Sequence, residues 1–164
     1  MIASAGERAL IWEGDNGEES SYTFAQLKSE VDAVAAGLDK LGVKPGDVIT
    51  IYMPMIPETV FAMLAIAKIG AIFSPAFSGY KADAVAKRIA ASEAKWLITA
   101  DGFYRKGKEV LLKAEADKAI ATCPSVEKVI VVKRTNSDIP WDAERDVKWE
   151  ILRENGSDYK TKQT

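Results

Sequence analysis

An α/β domain follows from three features of the sequence. Short apolar runs alternate with amphipathic segments, the longer apolar runs read as strands buried on both faces, and glycine or proline punctuates several junctions. Strands alternating with helices imply βαβ units, and so a three-layer sandwich with a mostly parallel sheet flanked by helices. The 164 residues suffice for one such domain, since a chain of this size buries roughly 70% of the surface its unfolded form exposes.

Ala9–Trp12 reads as a short strand, followed by a turn at Gly14-Asp15-Asn16-Gly17. This strand and the 17–23 segment predict an edge hairpin. Thr23 and Gln26 have capping-box spacing, with the Thr23 side chain accepting from the Gln26 backbone N–H. The helix that follows carries Phe24, Leu27, Val31, Val34, Leu38 and Leu41 on one face, with Gly42 as its stop. Pro45-Gly46-Asp47 turns the chain into the strand 48–52. Pro57 suits the first turn of a second helix, which Glu58 favours through the helix dipole and which Gly70 ends. In Met53-Pro54-Met55-Ile56-Pro57 the prolines shape the connection and the methionines pack.

A strand over 71–76, a loop at 77–80 and a helix over 82–91 come next, with Val85 and Ile89 inward. The strand 95–100 leads into a polar, basic loop over 101–108 and a helix over 109–122. Cys123-Pro124 ends that helix, and 128–132 is a further strand. Beyond Lys133 the pattern weakens to a short helix near 147–153 and a polar tail, 155–164, expected to fray. The four tryptophans, Trp12, Trp96, Trp141 and Trp149, are expected to pack in the core or at its edge.

Composition excludes several classes of function. Lys and Arg number 22 against 24 Asp and Glu, which leaves no electrostatic footprint for nucleic acid. No apolar run approaches the roughly 18–20 residues that span a bilayer, and the first residues lack the pattern of a signal peptide. There is no histidine and one cysteine, Cys123. A zinc site and a Ser-His-Asp or Cys-His hydrolase are thereby excluded for the chain acting alone, and a reducing cytoplasm is the simplest compartment.

In open α/β sheets, ligands collect beyond the carboxyl ends of strands. Two loops occupy such positions, Phe77-Ser78-Gly79-Tyr80 and the 101–108 segment. The second holds Gly102-Phe103-Tyr104-Arg105-Lys106-Gly107-Lys108-Glu109, a near-match to G-x-x-x-x-G-K. Glu109 stands where a Mg²⁺-ligating hydroxyl is required, and Phe103 and Tyr104 are bulky for a triphosphate loop. A nucleotide-hydrolysing loop is therefore rejected. Arg105, Lys106 and Lys108, with Gly107 allowing close approach, instead suit a phosphate monoester at a helix N-terminus. These residues alone equally describe a solvated basic loop balanced by Asp101 and Glu109. The 77–80 loop likewise reads either as a backbone platform for a ligand or as a turn whose aromatics cap the sheet.

Taken in order and spacing, several segments resemble the AMP-forming acyl-CoA synthetases, and within them the acetyl-CoA synthetase group. The resemblance covers about residues 8–152. It runs through Tyr22-Thr23-Phe24 with Leu27, the 41–47 segment LGVKPGD, the 51–58 segment IYMPMIPE and the 67–71 segment AKIGA. It continues through Phe77-Ser78-Gly79-Tyr80, Ile98-Thr99-Ala100-Asp101-Gly102 and the 123–132 segment CPSVEKVIVV. Enzymes of that family join a carboxylate to ATP with Mg²⁺, release pyrophosphate, and pass the acyl group to CoA. The resemblance implies that Phe77, Ser78, Gly79, Arg105, Lys106, Gly107 and Lys108 meet CoA, the basic stretch at its 3′-phosphate end. Ser78 replaces a family glycine, and Lys108 stands where the family often has Arg, keeping the charge without the planar fork.

The resemblance further implies that the family's Gly-rich phosphate loop, carboxylate pocket and catalytic lysine lie beyond this sequence. Residues 1–164 are then a partial N-terminal domain, with no catalytic residue and no activity alone. Its partners are the small-molecule substrates and the remainder of its own enzyme. Two alternatives stand beside this: a free-standing module for CoA or another phosphorylated ligand, and a self-associating scaffold domain with an uncovered sheet face.

Overall fold

A computed structural model describes residues 6–154 and 158–162. Fourteen elements follow one another. They begin with β1 (Arg8–Glu13), β2 (Glu19–Thr23), α1 (Phe24–Lys40), β3 (Val48–Met53), α2 (Pro57–Ile69), β4 (Ile72–Phe77) and α3 (Ala82–Ser92). They continue with β5 (Trp96–Ala100), β6 (Gly102–Arg105), β7 (Lys108–Leu111), α4 (Lys113–Ile120), β8 (Lys128–Val132), β9 (Asp146–Lys148) and α5 (Trp149–Arg153).

Five of the strands form one sheet in the order β4-β3-β5-β8-β9, every pair of neighbours parallel. Strands β3, β5 and β8 are buried almost throughout, as their unbroken apolar runs require. Helices α1, α2 and α5 pack together on one face, and α3 and α4 pair on the other. The expected three-layer α/β sandwich is the fold of the described residues.

Local chemistry explains most boundaries. Thr23 caps α1 with both bonds of the capping box: its Oγ1 accepts from the Gln26 N–H at 3.2 Å, and the Thr23 N–H donates to Gln26 Oε1 at 2.8 Å. Val31, Val34 and Leu38 are buried as their spacing demands. Phe24, expected on the same face, is 43% exposed in the first turn of α1, whose buried residues begin at Val31. Met55, expected to pack, is 81% exposed at the head of α2, whereas Met53 is buried in β3. Cys123 is buried and bonds the Ala86 carbonyl at 3.5 Å, the inert role its neighbours suggested.

Three expectations are corrected. The N-terminal strands form the expected antiparallel hairpin, but as a separate two-stranded sheet and not as an edge of the main one. The polar segment 101–108 is no loop: β6 and β7 form a second hairpin there, and α4 starts at Lys113 instead of Glu109. The carbonyl of Asp101 accepts the N–H groups of Leu112 and Lys113 at 3.0 and 3.3 Å, closing the hairpin at its base before the helix can begin. The expected helix over 147–153 yields its first residues to β9, which pairs with β8. Of the tail expected to fray, 155–157 and 163–164 lie outside the described residues; in between, the Lys162 N–H donates to the Lys68 carbonyl at 3.1 Å.

Gly37 marks the closest approach of α1 to α5. A Cβ built there would lie 2.5 Å from both Cα and O of Leu152. In a free helix, Gly→Ala gains roughly 0.5–1 kcal/mol. Here Gly37→Ala is expected to destabilise by about 1–3 kcal/mol, since backbone must move to admit the methyl. Thermal unfolding reads the sign: a raised Tm would contradict this packing.

Candidate functional site

At the carboxyl ends of β3, β4 and β5 the two predicted loops face one another. Phe77 ends β4, and the Tyr80 N–H closes a turn on the Phe77 carbonyl at 2.9 Å. The rings of Phe77 and Tyr80 meet edge to face with centroids 5.8 Å apart, and the Arg88 guanidinium lies over Tyr80. The Phe77 ring folds back over Gly79, where a Cβ would lie 2.5 Å from ring atom Cε1. Below the turn, the Tyr52 hydroxyl donates to the Tyr80 carbonyl at 2.6 Å. Burial, helped by the Glu115 carboxylate, pushes the Tyr52 phenol up to about 12, so it remains a donor across the working pH range.

Opposite stands the β6–β7 hairpin. Its two-residue turn, Lys106-Gly107, has both residues left-handed, at φ of 52° and 70°. This is the type I′ pattern that suits the twist of paired strands, and Gly107 takes its half of it without strain. Arg105 and Lys108 are cross-strand partners. Phe103, Arg105, Lys108 and Val110 therefore share one face of the hairpin. The phosphate-loop reading fails on this geometry, because a hairpin intervenes where strand must pass to helix. The helix-N-terminus reading of the basic cluster fails with it: the charges sit at a hairpin tip, five residues before α4 starts at Lys113 in the case of Lys108.

Two adjoining clefts separate the hairpin from the 77–80 turn. The first, about 300 Å³, lies among Trp12, Met55, Phe77, Tyr104 and Arg134. The second, about 360 Å³, lies among Tyr52, Gly79, Tyr80, Val110 and Glu115. Ser78, Phe103 and Arg105 line both. At the second cleft Glu115 accepts from Lys118 at 3.0 Å and from the Ala82 N–H at 3.1 Å; these bonds, Lys118 first, hold its carboxyl below the usual range. Of the residues singled out in sequence, Phe77, Ser78, Gly79 and Arg105 thus come together around the clefts. Lys108 shares a face of the hairpin with Arg105 but is exposed and lines neither cleft, and Lys106 and Gly107 form the tip.

The proposed balancing carboxylates are committed elsewhere. Asp101 is fully buried, and its Oδ1 accepts N–H bonds from Gly102, Arg134 and Thr135 at 2.7, 2.7 and 3.1 Å. Its Oδ2 accepts from Ser137 at 3.2 Å. Glu109 receives the hydroxyl of Ser137. Among the described residues, Arg105, Lys106 and Lys108 form no ion pair. Two like charges directly opposite on a hairpin destabilise it, and no direct ion pair offsets that repulsion.

Sequence reasoning missed Arg134. Its guanidinium lies between the rings of Trp12 and Tyr104, 5.2 and 5.6 Å from their centroids, and pairs with Glu18 at 2.7 Å. Its segment carries no periodic signal, and only the aromatic partners, distant in sequence, would have pointed to it. Among the described residues there is no metal-ligating cluster and no helix long and apolar enough to cross a membrane.

Comparison with known proteins agrees with this architecture. The family model described as AMP-binding enzyme matches residues 3–162. An acetyl-coenzyme A synthetase of Deinococcus radiodurans is 48% identical over 153 residues, 93% of this chain and 24% of that protein. One from Rhodopirellula baltica is 46% identical over 94% of this chain and 24% of its own length. Among solved structures, acetoacetyl-CoA synthetase from Streptomyces lividans superposes with a TM-score of 0.88 at 29% identity, over 96% of this chain and 24% of that one. The chain thus spans about a quarter of the length of these relatives. By its sequence along nearly all its length, and by its fold, it belongs to the AMP-binding enzyme family.

Proposed function

We propose that this chain supplies part of the CoA-side surface of an AMP-forming acetyl-CoA synthetase, which converts a carboxylate, ATP and CoA into acyl-CoA, AMP and pyrophosphate. The observation that carries the reading is the Arg105–Lys108 pair: two cations paired across the hairpin, Arg105 lining both clefts, and neither in an ion pair among the described residues. An anionic group between them would relieve their repulsion and gain charge-assisted hydrogen bonds. The 3′-phosphate of CoA has that chemistry. Ser78 and Gly79, on the opposite wall, offer backbone beside which the rest of the molecule can run. The acetyl assignment rests on the acetyl-coenzyme A synthetases to which the chain is similar. A buried Cys123 is compatible with a reducing cytoplasm.

The hairpin tip is solvated, so binding is weak: about 3–6 kcal/mol gross for two charge-assisted bonds leaves an affinity no better than about millimolar after association costs. NMR titration of the chain is expected to show CoA bound about tenfold more tightly than dephospho-CoA. Equal affinity would remove the 3′-phosphate role. ATP and Mg²⁺ enter as substrates of the whole enzyme. The chain alone is expected to give no ATP–pyrophosphate exchange with acetate, and turnover by a pure preparation would contradict that.

Self-association is a second reading, supported by the open edge of the sheet. Among the described residues strand β4 has no outer neighbour, and Ile72 and Phe77 on it are 54% and 61% exposed. Pro75 removes a donor within that strand and opposes strand addition. Sedimentation distinguishes the two: a monomer at high concentration rejects association.

A further inference from the structure

We infer that the β1–β2 hairpin is a brace for the cationic hairpin, with Asp15 as the positioning residue that holds its tip. This inference rests on the CoA-side reading for its functional consequence, though the brace itself does not.

Two contacts join the hairpins, and a third ties the first of them to the main sheet. Asp15, in the turn of the first, accepts the backbone N–H of Gly107 in the turn of the second at 3.1 Å. Arg134 lies between Trp12 of β1 and Tyr104 of β6, and its ion pair with Glu18 fastens it to the first hairpin. The Trp12 indole N–H donates to the Met55 carbonyl at 2.7 Å, which ties the brace to the connection between β3 and α2. The braced hairpin is therefore referenced to the same sheet that carries the 77–80 turn.

Asp15 is informative because of what it does not do. Three cations stand within two residues of Gly107, yet Asp15 forms no ion pair with any of them. Its carboxylate engages the peptide N–H and leaves the cationic side chains free for an anion. The left-handed turn presents that N–H to Asp15. The Asp101 carboxylate fixes the base of the hairpin in the same way, through the Gly102 N–H. Both ends are thus held by backbone amides, and the charged side chains remain uncommitted.

Electrostatics and positioning predict opposite signs for removing this carboxylate. By Coulomb's law alone, loss of a negative charge beside three cations should tighten anion binding. If Asp15 positions the tip, its loss lets Arg105 and Lys108 sample other arrangements, and affinity falls by the fraction of time they spend misplaced. Asn at this position keeps an acceptor oxygen but not the charge, and so separates the two effects.

The test uses the full chain, labelled with ¹⁵N, and two readouts by NMR: solvent exchange of the Gly107 amide, and titration with CoA and with dephospho-CoA. In Asp15→Ala, Gly107 exchange is expected to accelerate about tenfold. The preference for CoA is expected to fall about threefold or more, with dephospho-CoA affinity unchanged. Asp15→Asn is expected to restore both. Asp15 lies in an exposed turn, so both variants should fold, and unchanged amide spectra elsewhere will verify it. Unchanged Gly107 exchange in Asp15→Ala overturns the brace. Faster exchange with an unchanged or increased CoA preference overturns the positioning role. A parent chain without any preference for CoA overturns the functional reading above and the positioning role with it, while Gly107 exchange still decides whether the brace exists.

Discussion

Asp101→Ala should cost the fold about 3–5 kcal/mol, because it leaves buried donors without an acceptor. The carboxylate at the end of β5 gathers four backbone N–H groups, from Gly102, Arg134, Thr135 and Ser137. These belong to two segments, the first strand of the cationic hairpin and the stretch after β8 that carries Arg134, which also meet where Arg134 lies over Tyr104 and Ser137 donates to Glu109. Water cannot replace the lost acceptor, since Asp101 is wholly buried. A chain of this size loses roughly 2–4 °C per kcal/mol, so Tm should fall by about 10 °C. Asp101→Asn is the informative companion. One oxygen can still serve Gly102, Arg134 and Thr135, while the amide group meets the Ser137 N–H donor to donor. Its cost should be about 1–2 kcal/mol. Chemical denaturation of both variants checks the order. Equal, small losses would show that the four amides find other partners.

Lys113→Ala should be comparably damaging, by about 3–5 kcal/mol, since removing one partner of a buried pair strands the other. The Lys113 ammonium, with no side-chain exposure, contacts Asp146 at 2.9 Å, Asp117 at 2.8 Å and the Pro140 carbonyl at 3.3 Å. Arg145 closes the network by pairing with Asp146 and Asp117. The network pins the start of α4 to the start of β9, so its loss should also loosen the sheet edge. It has a pH signature. Burial tends to raise the Asp146 carboxyl, but hydrogen bonds from Arg145 and Lys113 outweigh burial and hold it below its ordinary 3.8. Its folded value is depressed, so its stabilisation is present above about pH 4 and disappears as the pH falls through the lowered value. Lys113→Ala should therefore show a shallower acid limb in its stability profile than the parent. An identical limb would mean that Arg145 alone holds Asp146.

Much of the fold was legible because its signals are local. Continuous apolar runs located β3, β5 and β8, and the Thr23–Gln26 capping box fixed the start of α1 to the residue. The β6–β7 hairpin was not legible. Three of its eight strand residues are charged, and its turn puts Lys, not Asn or Asp, before Gly107. Its folding depends on Asp101 closing its base, a tertiary contact that no local pattern encodes. Strand β9, only three residues long, depends in the same way on the edge that β8 offers. Of the candidate site, Phe77, Ser78, Gly79 and Arg105 were found because they follow strands in an α/β sheet. Arg134, Trp12 and Asp15 were missed because they reach the site from distant segments, through aromatic and backbone contacts that leave no spacing in the sequence.

The proposed CoA-side role rests on two cations on one face of a hairpin, Arg105 and Lys108, meeting a phosphate monoester. Reversing both charges, Arg105→Glu with Lys108→Glu, tests it most directly, since the tip is exposed and the fold should survive. NMR titration with CoA and dephospho-CoA is expected to show the CoA preference reduced to one or inverted, with the rest of the spectrum intact. A preference for CoA that persists in the folded double variant would contradict the account.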